Sequence, residues 1–137
     1  MEILKNTLYL VICSIVYLFV HAYLLAEFSG FFLEVLPLEG KAGFELYGLL
    51  SIGHLLATIL AAILVSILIS YHFKQKFFLV GLIVGLSSIL LISTFEVESG
   101  WPLAVMIKDT LLVVFTPAIV SHFLAKISYF KKLPDAS

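Results

Sequence analysis

The chain has 137 residues, 62% hydrophobic and 12% charged, with a net charge of −1 and a mean hydropathy of +1.17. Soluble domains carry about 25% charged residues, so this composition excludes a water-soluble fold and predicts one membrane-embedded domain. All 8 basic residues are lysine; without the arginine fork that grips phosphates, and without a basic surplus, nucleic acid is excluded as a partner.

Four apolar segments, at about 6–26, 46–71, 77–95 and 102–125, each come near the ~20 residues that span ~30 Å of hydrocarbon. The predicted fold is therefore all-α, an integral membrane bundle of four transmembrane helices. The first segment exceeds the ~7–15 apolar residues of a signal peptide, and no small-residue cleavage site follows it, so it reads as a retained helix. It carries Ser14, Tyr17 and His21 at helical spacing on one side. Cys13, the single cysteine, has no internal disulfide partner and reads as a small packing residue.

Residues 27–45 come next. Phe31, Phe32, Leu33, Val35 and Leu36 are too apolar for a free loop, whereas Glu34, Pro37 and Glu39 forbid a spanning helix. Gly30, Gly40 and Gly43 punctuate the stretch. The expectation is a short interfacial element capping the bundle, with a re-entrant loop as the alternative.

In the second helix, Gly53, Ala57 and Ala61 follow each other at i+4, and so do His54, Thr58, Ala62, Ser66 and Ser70. The third offers Gly81-x-x-x-Gly85 and then Ser88. Such small and hydroxyl residues are what membrane helices use to touch one another. A short acidic link at 96–101 leads to Trp101, an interfacial anchor, and to Pro102, suited to a first helical turn. In the fourth helix Pro117 removes a backbone donor, frees a carbonyl one turn earlier and invites a kink, with Thr116 placed to fill part of that gap.

Lys5, Lys74, Lys76, Lys126, Lys131 and Lys132 sit on one set of flanks. The other set holds Lys41 against Glu27, Glu34, Glu39, Glu45, Glu96 and Glu98. The positive-inside rule then predicts cytoplasmic N- and C-termini for a multi-pass protein of the cell (inner) membrane.

Two charges, Lys108 and Asp109, lie within the fourth helix. Each costs roughly 2.5–3.5 kcal/mol at the centre of a membrane helix on insertion scales. At ~1.5 Å per residue, Asp109 lies roughly 10 Å, His54 roughly 12 Å and His21 roughly 8 Å from the outer helix ends. The four residues thus share a layer, with Glu27 above it, and form the candidate ligand or proton site. Neighbours in sequence project about 100° apart, so Lys108 and Asp109 are not expected to satisfy each other. Lys108 can snorkel to the surface. Asp109 is too short for that and must be paired, neutral through desolvation, or facing a wet pocket.

His72 and His122 fall near the inner helix ends, where the plain reading is interfacial residence. Paired with each other, as His21 would be with His54, they offer a haem b alternative. No Gly-rich phosphate loop, metal-spaced Cys/His set or nucleophile elbow is present, so no catalytic residues and no metal ligands are predicted.

Residues 19–32, FVHAYLLAEFSGFF, resemble the first helix and following turn of DoxX-like four-helix membrane proteins. The third helix, with Ser87, Ser88, Ser93 and Thr94, is similar too, as is a fourth helix carrying Lys108 and Asp109 before Leu111 and Leu112. The resemblance implies a role beside membrane redox enzymes, as a quinone-associated or partner subunit. The chain departs from that family at Ala22, where a glycine and then a lysine are usual, so Lys108 and Asp109 are the residues that carry over.

The functional expectation is an accessory or assembly subunit of a larger membrane complex, in one version redox- or quinone-linked. A small proton or solute carrier or channel module built on Asp109 and His54 is the alternative, and the haem protein a third. The expected partners are the lipid bilayer and either other membrane subunits or further copies of the chain.

Overall fold

The computed structural model describes residues 1–35, 43–93 and 103–127. They form four α-helices and no strand: α1 (Glu2–Val35), α2 (Gly43–His72), α3 (Phe77–Ser93) and α4 (Leu103–Leu124). In hydrocarbon a backbone group finds no water, and a helix satisfies its own peptide groups within one segment. α1, the stretch Gly48–His72 of α2, and α4 are each long and apolar enough to cross a membrane, while α3 is apolar but shorter. The predicted anchor Trp101, Pro102, the link 96–101 and the punctuating Pro37, Glu39 and Gly40 lie outside the described residues.

The main departure from expectation is in residues 27–45. Most of the predicted interfacial cap is helix: α1 runs 34 residues to Val35, through Gly30 and Glu34, and α2 begins at Gly43. A single interior glycine costs only about 1 kcal/mol against alanine. Packing outweighs it, because Phe28 and Phe32 lie against Gly53 of α2. A Cβ on Gly53 would stand 3.2 Å from the Phe32 ring. At ~1.5 Å per residue α1 is roughly 51 Å long against roughly 30 Å of hydrocarbon, so it leans or emerges from the bilayer.

α1 packs on α2 and α3, and α4 packs on the same two; α2 and α3 touch little despite the short turn 73–76 between them. The order around the bundle is therefore α1, α2, α4, α3. In the turn, Lys76 takes a left-handed φ of 59°, and its carbonyl accepts the Val80 amide at 2.9 Å to open α3.

These helices are apolar nearly all round, so hydrophobicity does not mark the inside; small and hydroxyl residues do. Both α2 stripes are buried as far as Ser66, whereas Leu55, Leu56, Ile59 and Leu60 face outward. The closest approach is between α3 and α4. A Cβ on Gly81 would lie 2.5 Å from the Pro117 carbonyl oxygen, and one on Gly85 would collide with the Val114 backbone.

Pro117 sits inside α4 without ending it. The carbonyl that loses its helical donor is that of Val113, four residues earlier. Tyr17, fully buried on α1, reaches across the bundle and donates its hydroxyl to that carbonyl at 2.9 Å. Thr116, expected to fill part of the gap, donates instead to the Leu112 carbonyl at 2.5 Å. Hydroxyls tie other pairs as well: Ser66 to Ser121 at 2.9 Å, and Ser88 to the Ser14 carbonyl at 3.2 Å.

Candidate functional site

One end of the bundle gathers Lys5, Lys74, Lys76 and Lys126, and the other carries Glu27 and Glu34 of α1. Towards the acidic end, the buried polar stripes of α1 and α2 meet α4. His21 and His54 stand ring edge to ring face, centroids 5.1 Å apart. The His21 Nε2 lies 3.1 Å from the Thr58 hydroxyl. That hydroxyl donates its one proton to the His54 carbonyl at 2.7 Å, so His21 must supply the proton in its own bond to Thr58 and carries it on Nε2. His21 and Thr58 thus brace the His54 turn from the side.

The other face of His54 looks at α4. Its Nδ1 is 3.5 Å from Asp109 Oδ1, beyond the 2.7–3.2 Å usual for such a bond. Both atoms are buried, and neither has a hydrogen-bond partner. His54 is only 8% exposed.

Lys108 corrects one expectation. Its ammonium lies 3.3 Å from Asp109 Oδ1 and donates to the Ser51 hydroxyl on α2. The 100° separation holds at the Cβ atoms, but four methylenes let the ammonium fold back to its neighbour, with Ser51 fixing the direction. Glu27 corrects another. With α1 helical through residue 35, Leu25 and Ser29 share the inner stripe with His21, while Glu27 projects about 200° from Leu25 and is exposed. It lies beyond the layer along α1 but outside the stripe that lines it.

A cavity of about 340 Å³ adjoins the pair. Leu25, Leu50, Val105 and Met106 give it apolar walls, and Ser29, Ser51 and Thr110 join His54 and Asp109 on its polar side. Apart from Thr110, which directly follows Asp109, the other lining residues of α2 and α4 precede His54 and Asp109, and those of α1 follow His21, so the cavity extends from the pair mainly towards the acidic end. Ser29 lies past residue 26, where the apolar segment of the sequence ends; continuing the His21 stripe by four and eight residues reaches Leu25 and Ser29. Ser51 sits one turn before His54, on the same face.

The two haem pairings do not fit this arrangement. His21 and His54 touch edge to face with no slot for a macrocycle, and the His21 Nε2 is engaged with Thr58. His72 bonds Asn6 at 2.9 Å and stacks on Tyr9 at 4.1 Å, while His122 lies between Phe78 and Phe123. Among the described residues no group of three His, Cys, Asp or Glu side chains is placed to hold a metal ion. The small residues Gly53, Ala57, Ala61, Gly81 and Gly85 are buried within the chain itself. Comparisons with protein-family models, characterised proteins and solved structures find no match to the chain.

Proposed function

We propose that this chain is a small multi-pass membrane protein that binds a small ligand in the acidic-end cavity and exchanges a proton with it through His54 and Asp109. One observation carries the reading: Nδ1 of His54 and Oδ1 of Asp109 face each other at 3.5 Å, buried and without hydrogen-bond partners, beside a cavity. Oδ1 has the Lys108 ammonium at 3.3 Å, so the cost falls on Nδ1: an unmet buried polar atom costs about 1–3 kcal/mol, and a ligand group placed at the pair removes it. Below it, Tyr17, Ala61, Val65 and Val84 are fully buried. Most interior hydroxyls there donate to backbone carbonyls rather than to one another. This favours a site served from one side over an open channel. A carrier would use the same site in its acidic-end-open state. With the lysines at the opposite end, the acidic end faces outward and both termini lie in the cytoplasm of an inner-membrane protein.

The test follows the two groups directly. In nanodiscs, the side-chain nitrogen signals of His54 are expected to change with pH in a way that depends on the carboxylate facing Nδ1, as coupled groups do. Asp109→Asn is expected to change the His54 midpoint. An unchanged His54 curve in a folded variant rules the shared proton out.

A second reading, an accessory subunit of a larger complex, has its own support. The α1 extension leaves Phe31, Leu33 and Val35 well exposed, and among the described residues nothing lies within 4 Å of a Cβ placed on Gly30. The redox- or quinone-linked role implied by the DoxX-like resemblance is one form of this reading. Gentle extraction from the native membrane is expected to bring a partner along; a chain migrating alone argues against it.

A further inference from the structure

Resting on the cavity reading above, we propose that the occupant is an uncharged amphiphile with a hydroxyl headgroup, an alcohol or a phenol, and not an ion.

Among the described residues, the titratable groups at the pair are His21 from α1, His54 from α2, and Lys108 and Asp109 from α4. Glu27 projects away from them. Lys108 and Asp109 already neutralise each other at 3.3 Å. An entering anion must compete with Asp109 for the Lys108 ammonium, and an entering cation approaches that ammonium to reach the carboxylate. Neither finds a free counter-charge among the described residues, and a charge moved out of water without one is strongly disfavoured. A neutral headgroup meets no such barrier.

Hydrogen-bond chemistry narrows the choice further. Ionised Asp109 can only accept, and His54 Nδ1, when it carries a proton, donates. The matching group must give and take at nearly the same point, because the two atoms are 3.5 Å apart. A hydroxyl oxygen does both. A ketone or ether only accepts, so it can meet Nδ1 but leaves Oδ1 to the Lys108 ammonium alone, while an amine or a carboxylic acid is charged at neutral pH. The remaining walls ask for an apolar body: Leu25, Leu50, Val105 and Met106 line a space of about 340 Å³, near the small end of ligand cavities. One ring or a short chain fills it.

The experiment uses the full chain in nanodiscs and four probes that share one hydrocarbon body: para-propylphenol, phenylpropanoate, phenylpropylamine and propylbenzene. The readout is the side-chain nitrogen signal of His54, which reports the cavity rather than partition into lipid. The phenol is expected to shift that signal saturably and to bind about tenfold or more tighter than each of the others. Lys108→Gln is expected to narrow the gap between phenol and amine by freeing Asp109 for a cation. A charged probe binding best, or propylbenzene matching the phenol, overturns the hydroxyl assignment and leaves the cavity reading standing. No response of His54 to any probe overturns both.

Discussion

Tyr17 is the residue on which the bundle's interior most depends, and the reason lies in another helix. Pro117 leaves the Val113 carbonyl without its helical donor, and the Tyr17 hydroxyl takes that place at 2.9 Å. Tyr9 makes a bond that looks equivalent, donating to the Leu68 carbonyl at 2.8 Å. Leu68, however, has a helical amide four residues on at His72, so its carbonyl stays satisfied without Tyr9. Tyr17→Phe is therefore expected to destabilise the fold by about 1–2 kcal/mol, and Tyr9→Phe by well under 1 kcal/mol. Unfolding equilibria in mixed micelles compare the two, and equal losses would mean that Tyr17 is not compensating the proline. The sequence showed the gap at Pro117 but placed Thr116 in it. Thr116 was the nearest hydroxyl along the chain; Tyr17 is 96 positions from Val113 and becomes a neighbour only through the fold. The Lys108–Asp109 contact was missed for a related reason, since helical angles describe Cβ directions and not where a long side chain ends.

At the scale of the element, glycine has two roles in this chain, and spacing alone does not separate them. Gly81 and Gly85 let the α3 backbone lie on α4, with the Gly85 position facing the Val114 backbone and Gly81 facing Pro117 and Ala118. Backbone cannot move aside as a flexible side chain can, so Gly85→Ala is expected to destabilise by about 1–3 kcal/mol through forced separation of the helices. Gly30, in α1, has nothing among the described residues within 4 Å of its missing Cβ. There Gly30→Ala is expected to stabilise by up to about 1 kcal/mol, because alanine is the better helix former. Thermal unfolding of the two variants in the same detergent gives the comparison, and a loss at Gly30 would mean that something packs there. The packing stripe of α3 was legible because close contact in lipid calls for small residues at i+4. The end of α1 was not. Gly30 and Glu34 read as breaks, and only the seating of Phe28 and Phe32 on Gly53 shows why the helix continues.

At the scale of the molecule, the decisive asymmetry is charge. The bond from His72 to Asn6 and the one from Tyr9 to Leu68 fasten the start of α1 to the end of α2, and the Phe78–His122 contact brings the start of α3 to the end of α4. Lys5, Lys74, Lys76 and Lys126 therefore share one end of the bundle. A lysine beside an anionic inner leaflet contributes about 1 kcal/mol, and glutamates at the other end weigh little in setting topology. The expected orientation puts Glu27, the cavity and the His54–Asp109 pair towards the outside. Single cysteines in a Cys13→Ala background read this out, because Glu27 and Lys74 are both exposed. Glu27→Cys is expected to react with a membrane-impermeant maleimide on intact cells, and Lys74→Cys only after permeabilisation. The opposite pattern would place the cavity in the cytoplasmic leaflet, and any ligand for His54 and Asp109 would then have to arrive from within the cell.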